Sequence, residues 1–497
     1  MGLNTADLLV IAAYLVGVTL FGLQFRRKQR TLQDYFLAEN AIPWWAISLS
    51  IVAAETSTLT IISVPGLAYE KDFRFLQLAI GYIVGRVIVS YILIPHYFSG
   101  KLVTAYQLID QRFGGKLQSL TAGLFLATRA AAEGVRVFAV AIVIRIAMGS
   151  LLAGLSDYQR DVAAIAVVMV LTLAYTFEGG MTAVIWTDVM QLTIYVIGAL
   201  VAAFSVIHFV PGGWETIHAT LSADDKFRMF DFSLNLSSTY TFWSGLIGGA
   251  FLTTASHGTD QLIVQRLLSA RNQGQAKAAL ISSGFLVFFL FTIFLIIGAM
   301  LFVFYKLYSP ATAFARSDTV FPTYVVSRMP HGTSGLLISA ILAAAMSNLS
   351  AALNSLSSTT IVDFYARIAP QSSEEHRLKL SRWTTIGWGI VLFALALLAR
   401  HGGKVMEMAL SIASVAYGCM LGVFLLGVLT RTASERGAMV GMGVGFLLNV
   451  YVWQFTAVPF TWYVVIGAIT TFLVGYGASM LMKDAAPGQL MVQERAG

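Results

Sequence analysis

Thirteen apolar stretches, each long enough to span a bilayer as a helix, are separated by short polar segments along this chain. They fall at roughly 7–25, 43–69, 75–98, 118–149, 161–178, 184–210, 242–266, 276–307, 334–360, 383–400, 405–429, 437–457 and 460–482. Several of them are not plain apolar helices. Two are interrupted. The second reads WWAISLSIVAAETSTLTIISVPGLAY, small and hydroxyl-rich from Ala53 to Thr60, with Glu55 in mid-run and Pro65-Gly66 beyond. The seventh reads SGLIGGAFLTTASHGTDQLIVQR, with four glycines and the polar run Thr253, Thr254, Ser256, His257, Asp260 and Gln261. Both are expected to unwind near mid-membrane, where freed carbonyls and amides can hold ions or polar solutes. Two glycine-kinked packing helices are the alternative. Four intact spans lie between the interrupted pair, which predicts a five-plus-five inverted repeat made of spans 2–6 and 7–11.

Composition agrees with an all-α polytopic membrane protein. Of 497 residues, 57% are hydrophobic and 11% charged, against about 25% charged in a soluble domain. The one cysteine, Cys419, sits in an apolar run, which excludes a disulfide framework or a cysteine metal site. A net charge of +7 reflects Lys- and Arg-rich loops rather than nucleic-acid binding. The first apolar run is followed by RRKQR, a stop-transfer flank, and no cleavable leader is expected.

Those loop charges alternate. Arg26, Arg27, Lys28 and Arg30 follow the first span; Lys101, Arg112 and Lys116 the third; Arg266, Arg271 and Lys277 the seventh. Arg367, Arg377, Lys379 and Arg382 follow the ninth, Arg431 and Arg436 the eleventh, and Lys483 the last. The positive-inside rule then puts the N-terminus outside and the C-terminus inside, as an odd number of spans requires. The expected organisation is a leading helix and cytoplasmic loop (1–42), a first repeat (43–210), an extracellular loop (211–241), a second repeat (242–430), and two peripheral helices with a cytoplasmic tail (431–497). The plasma (inner) membrane is the expected location, with lipid as the surroundings and a monomer as the expected unit.

Candidate chemistry centres on the ninth span. Ser347, Ser350, Asn354, Ser357 and Ser358 fall within roughly a third of the helix circumference, beside the small residues Ala344, Ala351 and Ala352. Such a stripe suits close interhelical packing or coordination of a hard cation such as Na⁺. Asp188, near the start of the sixth span after the turn Glu178-Gly179-Gly180, could supply the negative charge that neutral oxygens lack; the alternative is a helix N-terminal carboxylate. Arg129, Glu133 and Arg136 occupy i, i+4 and i+7 on the fourth span, the spacing of an internal ion-pair ladder or of an arginine left for a substrate carboxylate. Glu55 and Arg86 form a second candidate pair, and His257 is either a titrating donor or a packing residue.

Three segments resemble the sodium/solute symporter family, whose members carry sugars, proline, iodide, sialic acid and vitamins. YTFEGGMTAVIWTDVMQ (175–191) is similar to the signature between that family's fourth and fifth core helices. AAAMSNLSAALNS (343–355) resembles its eighth core helix, and DQLIVQR (260–266) the end of its sixth. The resemblance implies the leucine-transporter-type fold with an extra leading helix. It also implies a sodium site of backbone carbonyls from Ala53, Thr56 and Ala344 with side-chain oxygens from Ser347 and Asn348, the last standing where Ser or Thr is usual. A second sodium site would use Asp188, Ser347 and Ser350, with Ala351 where a further serine is expected. Ser57, Thr60, Phe75 and the Thr253–His257 segment would face the substrate. Where sialic-acid carriers hold their substrate arginine, this chain has Ala132 or Glu133, one turn before Arg136.

The expected function is Na⁺-coupled import of a small polar organic solute by alternating access, with Arg136 favouring an organic acid or acidic sugar. A proton-coupled carrier of the same fold would use Asp188, Glu55 or His257 instead. A membrane sensor or channel is the reading from another class, and no constellation of groups suggests an enzyme.

Overall fold

The computed structural model describes residues 3–24, 31–38, 41–56, 58–100, 102–147, 154–310, 313–314, 316–400 and 405–482. Ser57, one of the residues expected at the substrate, lies outside them. Secondary structure among the described residues is helical, apart from one isolated bridge pairing Ile42 with Ala270.

The principal helices, numbered here in chain order, are α1 (Thr5–Leu23), α2 (Trp44–Glu55), α3 (Thr58–Glu70), α4 (Leu76–Ile92), α5 (Gly115–Ala147), α6 (Asp157–Phe209), α7 (Gly249–Gly258), α8 (Gln261–Leu268) and α9 (Gln273–Leu307). They continue as α10 (Val320–Arg328), α11 (Thr333–Thr359), α12 (Glu374–Ala399), α13 (Val405–Leu429), α14 (Glu435–Phe455) and α15 (Tyr463–Met482). Seven described helices are long and apolar enough to cross a membrane, or eight if the bent pair α2/α3 is one span.

Helix ends follow local chemistry. Ser156 opens α6 with a reciprocal cap in which its hydroxyl accepts from the Gln159 amide and the Gln159 side chain answers its own N–H. Asn272, Ser373 and Ser434 cap α9, α12 and α14 by accepting from the amide three residues on. Two expected spans, 161–178 and 184–210, run together as α6. They are separated by a kink at Gly180, whose φ of 55° and ψ of −159° favour glycine.

Both interrupted spans break. α2 and α3 are bent by 61° to one another across the break that follows Glu55. α7 follows a π-helical turn (Ser244–Gly248) and ends at Gly258; Thr259 and Asp260 leave helical geometry before α8 begins. Asp260 caps α8 by accepting from the Leu262 amide at 2.8 Å. The broken helices lean on α4 and α9 through glycine. A Cβ on Gly81 would sit 2.1 Å from the Gly245 carbonyl oxygen, and one on Gly298 would sit 2.0 Å from that of Pro65. Only a missing side chain allows backbones this close.

α11 is the central post. In its apolar window 94% of residues are buried inside the protein, against 22% for α12, so α11 is surrounded by helices while α12 offers most of its surface outward. α11 packs on α6, α5, α2 and α1. The serine stripe therefore faces protein all round.

Candidate functional site

Three buried ionic clusters surround the two helix breaks. In the first, Arg86 on α4 bonds Glu55 at the end of α2, donates to Ser283 Oγ at 3.1 Å, and reaches His257 Nε2 at 3.1 Å. His257 Nε2 also lies 3.5 Å from Glu55 Oε2, and the ring's Nδ1 is 2.9 Å from Ser256 Oγ. In the second, Arg129 pairs with Glu133 at 3.2 Å and with Asp260 at 3.4 Å, and Tyr417 donates to Asp260. Arg136 stands 3.6 Å from Glu133. In the third, Arg266 on α8 donates to Asp188 Oδ2 at 2.8 Å, and Ser50 and Ser347 also donate to that carboxylate.

Each cluster holds equal numbers of arginines and carboxylates: one and one, two and two, one and one. That balance is what a low-dielectric interior requires, because an uncompensated buried charge there is costly.

Between the first two clusters lies a cavity of about 110 Å³. Its walls include Thr60 from α3, Phe75 just before α4, Arg136 from α5, and Thr253 and His257 from α7, so the described residues expected at the substrate meet in one place. Leu59, Val64, Phe291 and Leu410 give it an apolar surface; Glu55, Arg129, Asp260 and Tyr417 complete the polar part. Tyr417 escapes sequence reading, and Asp260 shows there only as part of a polar run, because the partners each meets lie far away in the chain. Arg136 keeps 20% of its side chain exposed, and neither its Nε nor that of Arg129 has a hydrogen-bond partner among the described residues.

The residues expected at sodium lie at and around the α2/α3 break. Ala53 and Thr56 occupy the last turn and C-cap of α2; Ala344 and Ser347 are buried on α11, which packs against that helix. Thr56 leaves the helical region at φ −85°, ψ 69°, with its hydroxyl held by Val52 and Tyr195. Asn348 faces α5, where its Oδ1 accepts from Arg136 at 3.3 Å and its Nδ2 donates to Glu133 at 2.7 Å. Ser350 turns back onto its own helix, donating to the Ser347 carbonyl at 2.9 Å. Arg266 corrects one sequence assignment. It counts as a loop cation by position, yet its side chain is fully buried against Asp188.

The description of the sodium:solute symporter family matches residues 35–445. The chain belongs to the sodium:solute symporter family. As a member it is a multi-pass, sodium-coupled carrier of solutes and not an enzyme. This symporter is 28% identical over 97% of its length to the sodium/sialic acid symporter NanT of Aliivibrio fischeri, and the alignment covers 94% of that protein. It is 29% identical to the sodium/sialic acid symporter SiaT of Proteus mirabilis, over 94% of this chain and 93% of that one. The human sodium-coupled monocarboxylate transporter 1 is 27% identical, over 90% of this chain and 73% of that protein.

Among solved structures, a substrate-bound, outward-open Na⁺-coupled sialic acid symporter superposes with a TM-score of 0.85 at 28% identity, covering 96% of this symporter and 98% of that chain. Mhp1, a nucleobase-cation-symport-1 family transporter, superposes at 0.60 with 14% identity over 91% and 95% of the two chains, a likeness of fold alone. The architecture is thus the helical, leucine-transporter-type fold.

Proposed function

We propose that this symporter imports a small carboxylate-bearing solute together with one Na⁺. The observation that carries the reading is Arg136, cavity-lining, partly exposed, loosely paired with Glu133, and with no hydrogen-bond partner for its Nε among the described residues. A guanidinium in that condition offers a carboxylate a charge-assisted, two-pronged contact. The monocarboxylate and sialic acid carriers among its relatives, named for solutes with a carboxyl group, add support.

Charge balance explains why a cation accompanies the solute. The clusters around the cavity already sum to zero, so an anion arriving alone would leave a buried negative charge. Na⁺ at the α2/α3 break, held by the carbonyls of Ala53, Thr56 and Ala344 and the Ser347 hydroxyl, supplies the missing positive charge. Asn348 joins only if its amide oxygen turns from Arg136. At the Asp188–Ser350 position Arg266 already neutralises the carboxylate, so our reading assigns no cation there while that pair holds. Thr60, Phe75, Thr253 and His257, with Ser57, would surround the remainder of the solute.

In this reading the chain has thirteen spans, N-terminus outside and C-terminus inside, in the plasma (inner) membrane, and works as a monomer. Residues 43–210 and 242–430 form the two repeats. Occupation of both sites favours the arrangement in which the broken helices rock, by the difference in affinity between the two states.

Uptake into proteoliposomes under an imposed Na⁺ gradient tests this. Monocarboxylates and acidic sugars should compete for uptake while their neutral analogues do not. Arg136→Gln should abolish uptake yet leave ²²Na⁺ binding measurable. Competition by neutral sugars and not by carboxylates would overturn the proposal.

A further inference from the structure

Gln191 on α6 is fully buried, and neither the oxygen nor the nitrogen of its side-chain amide has a hydrogen-bond partner among the described residues. A buried amide left unpaired at both ends is destabilising, so it asks for a partner that the surrounding side chains do not supply. The polar groups beside it on α6 are paired. Asp188 accepts from Arg266, Ser50 and Ser347, and Tyr195 shares a hydrogen bond with Thr56. Asp188, Gln191 and Tyr195 fall at i, i+3 and i+7, which puts all three on one face of α6.

The register of three helices fixes what that face meets. Ser50 of α2 and Ser347 of α11 both donate to Asp188, so α2, α6 and α11 share one level there. α2 runs in the same direction as α6, because Thr56 beyond Ser50 meets Tyr195 beyond Asp188. α11 runs the opposite way: a Cβ on Gly198 would lie 3.3 Å from that of Ala340, which precedes Ser347. A step of roughly 4.5 Å, three residues of helix, therefore leads from the Asp188 junction to Ala53 on α2, Gln191 on α6 and Ala344 on α11. Ala53 and Ala344 carry two of the carbonyls assigned to Na⁺ above, and their small side chains leave space for a longer one. Ala53 also lies in the last turn of α2, whose C-terminal end carries partial negative charge.

We propose that Gln191 is a further ligand of the transported Na⁺, its amide oxygen joining the carbonyls of Ala53, Thr56 and Ala344 and the Ser347 hydroxyl. The inference rests on the placement of Na⁺ at the α2/α3 break. Asn348 has its own amide engaged by Arg136 and Glu133 on α5, and Gln191 supplies an amide oxygen from α6 in its stead. A neutral ligand suits the position. Arg266 already balances Asp188 one turn away, and a further carboxylate would leave a buried negative charge each time Na⁺ departs. The ligands then come from α2, α6 and α11, so the bound ion ties the end of the broken helix to both of its neighbours.

The test is ²²Na⁺ binding to the purified full-length symporter in detergent, without solute, paired with thermal denaturation in Na⁺ and in choline buffer. Gln191→Leu should raise the half-saturating Na⁺ concentration at least tenfold and remove most of the rise in midpoint that Na⁺ gives the wild type. In choline its midpoint should equal or exceed that of the wild type, because leucine replaces an unpaired buried amide with an apolar group. Gln191→Glu, which keeps an oxygen at the position, should bind Na⁺ more tightly than Gln191→Leu. Ser347→Ala separates this inference from the reading beneath it. Binding weakened in Ser347→Ala but unchanged in Gln191→Leu overturns the role of Gln191 alone; binding unchanged in both overturns the placement of Na⁺ as well. A Gln191→Leu midpoint well below the wild type in choline also overturns the proposal, since the amide would then serve the fold rather than the ion.

Discussion

Arg266 Nη2 lies 2.8 Å from Asp188 Oδ2, and neither side chain has any exposure. Seventy-eight residues apart in the chain, they join the end of one broken helix to the start of the sixth expected span. Removing either charge leaves the other buried and unpaired, at a cost of about 3–5 kcal/mol. Asp188→Asn and Arg266→Gln should each lower the thermal midpoint sharply in detergent. The double variant should recover a large part of the loss. A double-mutant cycle with no coupling energy would show that the pair is not a unit.

Ser347 touches both the Asp188 carboxylate and, through its carbonyl, the Ser350 hydroxyl. If its oxygen also ligates Na⁺, Ser347→Ala should raise the Na⁺ concentration for half-maximal binding about tenfold or more, each tenfold corresponding to ~1.4 kcal/mol. Expression and solute-independent stability should change far less. An unaltered Na⁺ titration would remove Ser347 from the site.

One Na⁺ moving with one monocarboxylate carries no net charge. Uptake of a monoanion should then be nearly insensitive to a valinomycin-imposed K⁺ diffusion potential, whereas each uncompensated charge would feel about 2.3 kcal/mol per 100 mV. Strong stimulation by an inside-negative potential would require a second cation, and the Asp188–Ser350 position would become its natural address.

Gly298 permits α9 to meet α3 beside Pro65. Gly298→Ala forces a Cβ to within 2.0 Å of the Pro65 carbonyl oxygen, backbone that cannot swing aside, and should destabilise by roughly 1–3 kcal/mol. Gly387→Ala on α12 is the control, since a Cβ there meets nothing within 4 Å. Thermal denaturation of the two variants side by side checks this. Equal midpoints would mean that the close approach is not retained in the membrane protein.

Sequence alone determined what is local. Apolar run length gave the helices, and glycine, proline and hydroxyl residues inside two runs marked where they break, because backbone geometry depends on nearest neighbours. The Arg129–Glu133–Arg136 ladder was legible for the same reason, since i, i+4 and i+7 share a helix face. Tertiary structure decided the partners. Arg266 looks like a loop cation until α8 carries it against Asp188, and Asp260 and Tyr417 meet across 157 residues. Asn348 turns out to be occupied by Glu133 and Arg136, on a helix 212 residues away from its arginine partner. Buried charges are answered by whichever opposite charge the packing brings near, and packing joins surfaces whose separation along the chain leaves no periodic trace.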